Sequence, residues 1–229
     1  ARVEACLQNP PRAKRWPKWE ARPRRVVVSC DGIFYCTNQR EPDPGRPGEN
    51  RLVWQEMKVG CVAWQDEHGR WHKQMVWGRE PPEEFGQALF LLACRCGYRQ
   101  AEEKTFHADG ADWCWTIQQT YFVDAVGILD WFHASQHVWE AARSVGRTEQ
   151  EVTAWAHQAL EPMRTGGGEA LLNWLEEQKR PRRGKARQAI QKLINYVGPR
   201  VDRMDYPEYR QQEHPIGSGM IEATVKQLV

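Results

Sequence analysis

Long apolar runs are missing from this sequence. The longest, ALFLLAC at residues 88–94, falls well short of the roughly 18 residues a membrane-spanning helix needs, so no membrane partner is expected. No signal peptide is visible either, and the first residue is Ala, so an N-terminal part is expected to be missing. A large excess of one charge is also absent: the formal net charge is +2. The seven cysteines are odd in number and follow no spaced framework, which predicts reduced thiols and a cytoplasmic protein. Nucleotide-binding signatures are lacking. TGGG at 165–168 is not followed by Gly-Lys-Ser/Thr, no GxGxxG opens a helix, and GSG at 217–219 lacks the spacing of a nucleophile elbow.

What is present suits one large domain, or one domain with an insertion. The chain has 229 residues, 41% of them apolar and 27% charged, enough to bury a core and too apolar for disorder. The basic residues are bunched. PPRAKRWPKWEARPRR at 10–25 holds Arg12, Lys14, Arg15, Lys18, Arg22, Arg24 and Arg25, with Trp16 and Trp19 suited to stacking on bases. KRPRRGKAR at 179–187 holds Lys179, Arg180, Arg182, Arg183, Lys185 and Arg187. Such runs fit phosphate backbones as well as they fit solvated linkers.

Along the chain, prolines at 10, 11, 17 and 23 mark residues 1–24 as a basic arm or linker. RRVVVSCDGIFY predicts a buried strand ending at Asp31-Gly32, followed by a Pro- and Gly-rich loop over 37–51. LVWQEMKVGCVAWQ and RWHKQMVWG predict two strands joined by a turn from Asp66 to Gly69. PPEEFGQALFLLACRCGY predicts a helix, KTFHADGA a strand with a Gly turn, and DWCWTIQQTYF a helix. AVGILDWFH then reads as a strand entering the helix ASQHVWEAARSVG. From about 147 to 213 the patterns are helical, broken by TGGG and the basic loop. Three strands followed by alternation predict an α/β fold, a mixed sheet flanked by helices in the layout of an RNase H-like core.

Asp31 and Asp109 stand at predicted strand ends, where acids are poor sheet formers. Both also begin Asp-Gly pairs, a common turn signal. If their strands are neighbours the two carboxylates converge, and a divalent cation relieves their repulsion. Asp112 precedes WCWTIQQTYF where an N-cap is expected, which favours Asp109 as the ligand. Glu222 finds Gly at position 219 instead of a capping-box partner, although Lys226 could pair with it at i+4. About 100° per residue separates it from Ile221, at the edge of the apolar stripe formed with Val225 and Leu228. DWFH supplies Asp130 and His133, and His137 and Glu140 follow on one helix face. A zinc site at His133 and His137 lacks the Glu of HExxH, so interior histidines bonded to nearby groups are the plainer reading.

Five segments, VSCDGIFY, WQEMKVGCV, HADGADWCW, ILDWFHASQHVWE and RMDYPEYRQQEHPIGSGMIEATVK, run in order from about residue 25 to the end. In this order the chain resembles bacterial insertion-sequence transposases of the DDE class, close to the Kra-type group and more distantly to Mutator-like elements. The resemblance implies an RNase H-like core over 25–146, an all-helical insertion over 147–213, and a last catalytic helix over 214–229 that completes the core. It assigns Asp31, Asp109 and Glu222 as the catalytic, metal-binding acids and sets Asp130 and His133 near the active site. It implies two Mg²⁺ or Mn²⁺ ions, which carboxylate oxygens suit and which promote strand cleavage and transfer without a covalent protein intermediate. It further implies transposon-end and target DNA as partners, a homo-oligomer, and a nucleoid-associated bacterial protein. Seven residues follow Glu222, fewer than the basic stretch usual in the family. A second reading therefore stays open: a truncated or repurposed transposase that binds DNA without cutting it.

Overall fold

A computed structural model describes residues 23–217 of the chain. It is a mixed α/β structure whose five strands form one mixed sheet in the order β3-β2-β1-β4-β5. By their internal contacts the described residues divide into two units, 23–104 with 116–124, and 105–115 with 125–217.

In the first unit, β1 (Arg25–Pro42), β2 (Asn50–Gln65) and β3 (Trp71–Gly78) pair antiparallel in succession. The β2–β3 turn forms where the sequence predicts it. Asp66 Oδ1 accepts from the His68 and Arg70 amides at 2.9 Å each, and Gly69 takes φ +76°, a left-handed conformation that glycine adopts without steric cost. β1 departs from expectation. It does not end at Asp31-Gly32 but runs on to Pro42, with Asp31 opposite Val59 and Gly32 opposite Lys58. Ile33, Phe34 and Tyr35 favour strand, and β2 supplies them a continuous partner, so the Asp-Gly turn signal is overridden. The loop is accordingly shorter than the predicted 37–51. It covers 43–49 and is closed by the Asp43 amide donating to the Glu49 carbonyl at 2.9 Å.

Helix α1 (Pro82–Arg95) begins with proline and carries Glu83 and Glu84 in its first turn, where acids complement the helix dipole. Phe85, Leu89, Leu92 and Ala93 are buried at helical spacing. A Cβ on Gly60 of β2 would stand 2.7 Å from Leu89 Cδ1, so only glycine lets the helix lie this close. Truncating Leu89 to Ala is expected to cost roughly 2–5 kcal/mol. Cys30, Cys61 and Cys96 are buried here, and burial pushes the Cys96 thiol up to about 12.

In the second unit, β4 (Glu103–Ala108, entering from the first) and β5 (Val126–Leu129) are parallel, in register from Thr105↔Val126 to Ala108↔Leu129. Parallel strands need a crossover, and α2 (Asp112–Tyr121) lies in the connection. Then come α3 (Trp131–Val145), α4 (Glu149–Lys179), α5 (Gly184–Val197), a 3-10 segment (Gly198–Arg203) and the short α6 (Tyr206–Gln211). Val138 and Ala142 of α3, Trp155, Met163 and Leu171 of α4, and Leu193 of α5 are among its buried side chains. TGGG appears as a kink in α4: Gly167 adopts φ +69°, ψ −157°, and the Gly168 amide donates to the Met204 carbonyl at 3.1 Å. The basic loop is shorter than expected. Lys179 is the last residue of α4 and Gly184 the first of α5, leaving only 180–183 between them.

Candidate active site

The carboxyl ends of β4 and β5 gather the chemistry of the second unit. Asp109 follows the last residue of β4, and Asp130 follows the last residue of β5; the preceding residues Ala108 and Leu129 are register partners. The Asp130 amide donates to the Ala108 carbonyl at 2.9 Å and extends that pairing by one step. The two acids therefore leave adjacent parallel strands at the same level.

Their carboxylates are used differently. Asp130, 1% exposed, caps α3: its Oδ1 accepts from the Phe132 and His133 amides at 2.8 and 2.9 Å. The sequence pattern predicts a strand through Trp131-Phe132-His133, but this cap starts the helix at Trp131. Half-buried Asp109 accepts from the Ala111 amide through Oδ1 at 2.9 Å, while its Oδ2 has no hydrogen-bond partner among the described residues. Asp112 is the first residue of α2, with a fully exposed side chain 3.7 Å from Arg200 Nη2.

Two histidines flank these acids. His107 shares a strand face with Thr105 and Asp109 by the two-residue period. It is buried, its Nε2 meets Thr105 Oγ1 at 3.1 Å, and its Nδ1 has no hydrogen-bond partner among the described residues. Burial lowers its pKa to about 4, Asp130 opposing and His214 adding to the shift, so the ring is neutral at pH 7. His137 lies on α3 with Nδ1 3.3 Å from Glu140 Oε2, and its ring meets that of Tyr196 at 3.8 Å between centroids. Burial lowers its pKa too, against the pull of Glu140. Among the described residues no group of three or more His, Cys, Asp or Glu is arranged to hold a metal ion.

The chain beyond α6 returns to this edge. The Trp131 amide donates to the Ile216 carbonyl at 2.9 Å, and a Cβ on Gly217 would stand 2.6 Å from the Phe132 ring. Tyr206 and Tyr209 support β5 from below, their hydroxyls donating to the Leu129 and Gly127 carbonyls at 3.1 and 3.4 Å.

The structure thus sets Asp109 and Asp130 at neighbouring strand ends in the second unit, with the backbone amide of His133 on Asp130. Asp31, half-buried on β1, belongs to the first unit, where its Oδ1 accepts from the Gly32 amide at 2.7 Å. Glu222 and the basic residues Arg12, Lys14, Arg15, Lys18 and Arg22 lie outside the described residues. Arg24 and Arg25 both pair with Glu103, Arg24 at 3.3 Å. In the second basic run, Lys179 pairs with Glu176 at 2.6 Å and with Gln191 at 3.0 Å, and Arg187 donates to the Lys179 carbonyl at 3.2 Å. Arg180, Arg183 and Lys185 are exposed. Sequence reading missed His107, Tyr196, Arg200 and Tyr206. Only His107 carried a signal, its place two residues before Asp109 on a predicted strand. Compared with known proteins, the chain matches no family model and has no significant match among curated proteins.

Proposed function

We propose that the chain is the catalytic core of a DDE-type DNA transposase, with Asp31, Asp109 and Glu222 as its acids and Asp130 and His133 beside them in an RNase H-like core. One observation supports this reading above the others. The segment leading to Glu222 meets the start of α3 through the Trp131–Ile216 hydrogen bond, next to the strand ends that carry Asp109 and Asp130. Glu222 follows Ile216 by six positions.

The donor set fits hard divalent cations. Asp109 offers a carboxylate oxygen without a protein partner among the described residues, and Asp31 and Glu222 add carboxylates of the same kind. When bound, Mg²⁺ or Mn²⁺ would supply charge stabilisation for phosphodiester cleavage and transfer. The protein's own part is to hold Asp109 at the strand end through Ala111 and to keep Asp130 desolvated as a helix cap. DNA is the proposed partner, reached through exposed Arg180, Arg183 and Lys185, in a homo-oligomer associated with the bacterial nucleoid.

The test is nicking of supercoiled DNA with Mg²⁺ or Mn²⁺, with Ca²⁺ as the control that supports binding without cleavage. Asp31→Asn, Asp109→Asn and Glu222→Gln should each abolish nicking and leave the fold intact, whereas Asp112→Asn should cost little. Loss of nicking in Asp112→Asn with activity retained in Asp109→Asn would overturn the assignment. Salt-sensitive DNA binding with no nicking under any of these ions would favour the non-catalytic reading.

A further inference from the structure

We propose that Tyr196 and Arg200 are positioning residues that clamp the Asp109 turn from the helical segment; the inference rests on the proposed role of Asp109. The turn itself has few anchors of its own. After β4 the chain passes through Asp109 and Gly110, with Gly110 at φ +104°, before α2 begins at Asp112. Its local bonds are those of the Ala111 amide and the Cys114 thiol to Asp109 Oδ1, at 2.9 and 4.0 Å; its backbone carbonyls at 109 and 110 are held from α5 and the 3-10 segment after it. Tyr196 Oη donates to the Asp109 carbonyl at 2.9 Å. Arg200 donates to the Gly110 carbonyl through Nη2 at 2.7 Å and Nε at 3.2 Å.

The two clamping side chains also hold each other. Arg200 Nη1 donates to the Tyr196 carbonyl at 2.9 Å, and the guanidinium lies 4.7 Å from the Tyr196 ring centroid, a cation–π geometry. His137 covers the ring from α3. Burial raises the Tyr196 pKa, with the Asp109 and Asp130 charges adding and Arg200 opposing, so the hydroxyl stays protonated and donates at any working pH. The fit is close: a Cβ on Gly110 would stand 2.9 Å from Arg200 Nε and 3.1 Å from Tyr196 Oη. Two consecutive carbonyls seized by one phenol and one fork-shaped guanidinium leave the turn little freedom. Asp109 Oδ2 is thereby presented in one direction. A lysine at 200 keeps the charge and cannot make the three donations together.

The test uses the full chain and the variants Tyr196→Phe and Arg200→Lys, with three readouts. Amide exchange of residues 110–112 reads the clamp itself, Mn²⁺ binding by electron paramagnetic resonance reads the carboxylate, and DNA nicking gives kcat and KM. Both variants are expected to speed exchange at 110–112. They should weaken Mn²⁺ binding about fivefold, the scale of one lost hydrogen bond, and lower kcat with KM for DNA unchanged. A purely structural role would lower the melting temperature and leave Mn²⁺ binding unmoved, and that result overturns the proposal. Unchanged exchange at 110–112 in both variants overturns it as well. If Asp109→Asn itself leaves Mn²⁺ binding unmoved and the wild-type chain does not nick DNA, the transposase reading fails; if Asp109→Asn loses Mn²⁺ binding and the two variants keep it, the positioning role alone is overturned.

Discussion

The backbone N–H of Asp130 donates to the carbonyl oxygen of Ala108 at 2.9 Å, so the chain leaves β5 beside the point where Asp109 leaves β4. That single bond joins a capped helix start to a strand end. It makes Asp130 a structural acid in its own right, because the same residue also accepts from the Phe132 and His133 amides.

Asp130→Ala removes the cap and leaves the Phe132 and His133 amides without their acceptor, which is expected to cost about 2 kcal/mol. For a chain of this size that lowers the melting temperature by roughly 4–8 °C. Asp130→Asn keeps an acceptor oxygen and should lose less than half as much. Thermal unfolding of the two variants checks the role, and equal stability of Asp130→Ala and wild type would exclude it.

Asp66 carries a pH signature of the β2–β3 turn. Hydrogen bonding from His72 lowers its pKa to about 2, with the Arg70 and His68 amides assisting and burial opposing. Its folded pKa lies below the ordinary carboxylate value, so its stabilising contribution is complete above about pH 4. That contribution is lost as pH falls through about 2. A carboxyl titration of Asp66 followed by NMR should have its midpoint near 2 in the wild type and move upward in His72→Ala.

Two glycines with left-handed backbone should respond unequally to alanine. At Gly167 a Cβ would stand 2.6 Å from the Met204 carbonyl oxygen, while at Gly184, φ +56°, nothing lies within 4 Å. Gly184→Ala is expected to cost about 1 kcal/mol from its backbone conformation alone. Gly167→Ala adds a backbone clash and should cost at least about twice that. Denaturant midpoints give the comparison, and equal midpoints would mean the α4 kink relaxes freely.

The second basic run should contribute to DNA binding through only part of its charge. Arg180, Arg183 and Lys185 are exposed, whereas Lys179 already pairs with Glu176. Replacing the first three by Gln should reduce the log–log salt slope of duplex binding by about 0.9 for each phosphate that is no longer neutralised. Lys179→Gln should leave the slope nearly unchanged. A slope insensitive to all four would make the run a solvated connection.

By itself the sequence determined the elements whose signals are local. The β2–β3 turn follows from Asp66 and Gly69, α1 from its proline, its first-turn acids and its apolar spacing, and the α4 kink from its glycines. Asp109 was legible as the residue after a strand because KTFHA reads as a strand and Gly110 marks the turn. Tertiary structure decided what depends on distant partners. Whether Asp31-Gly32 turned or continued was settled by β2, which pairs with β1 well past Gly32. Asp130 became a buried cap because β4 and β5 pair, and no local pattern encodes that neighbour. Tyr196 and Arg200 stand 87 and 90 positions from the carbonyls they hold. Helical periodicity reports which face of α5 is apolar, but a hydrogen bond across such a separation exists only once packing has brought the helix to the strand end.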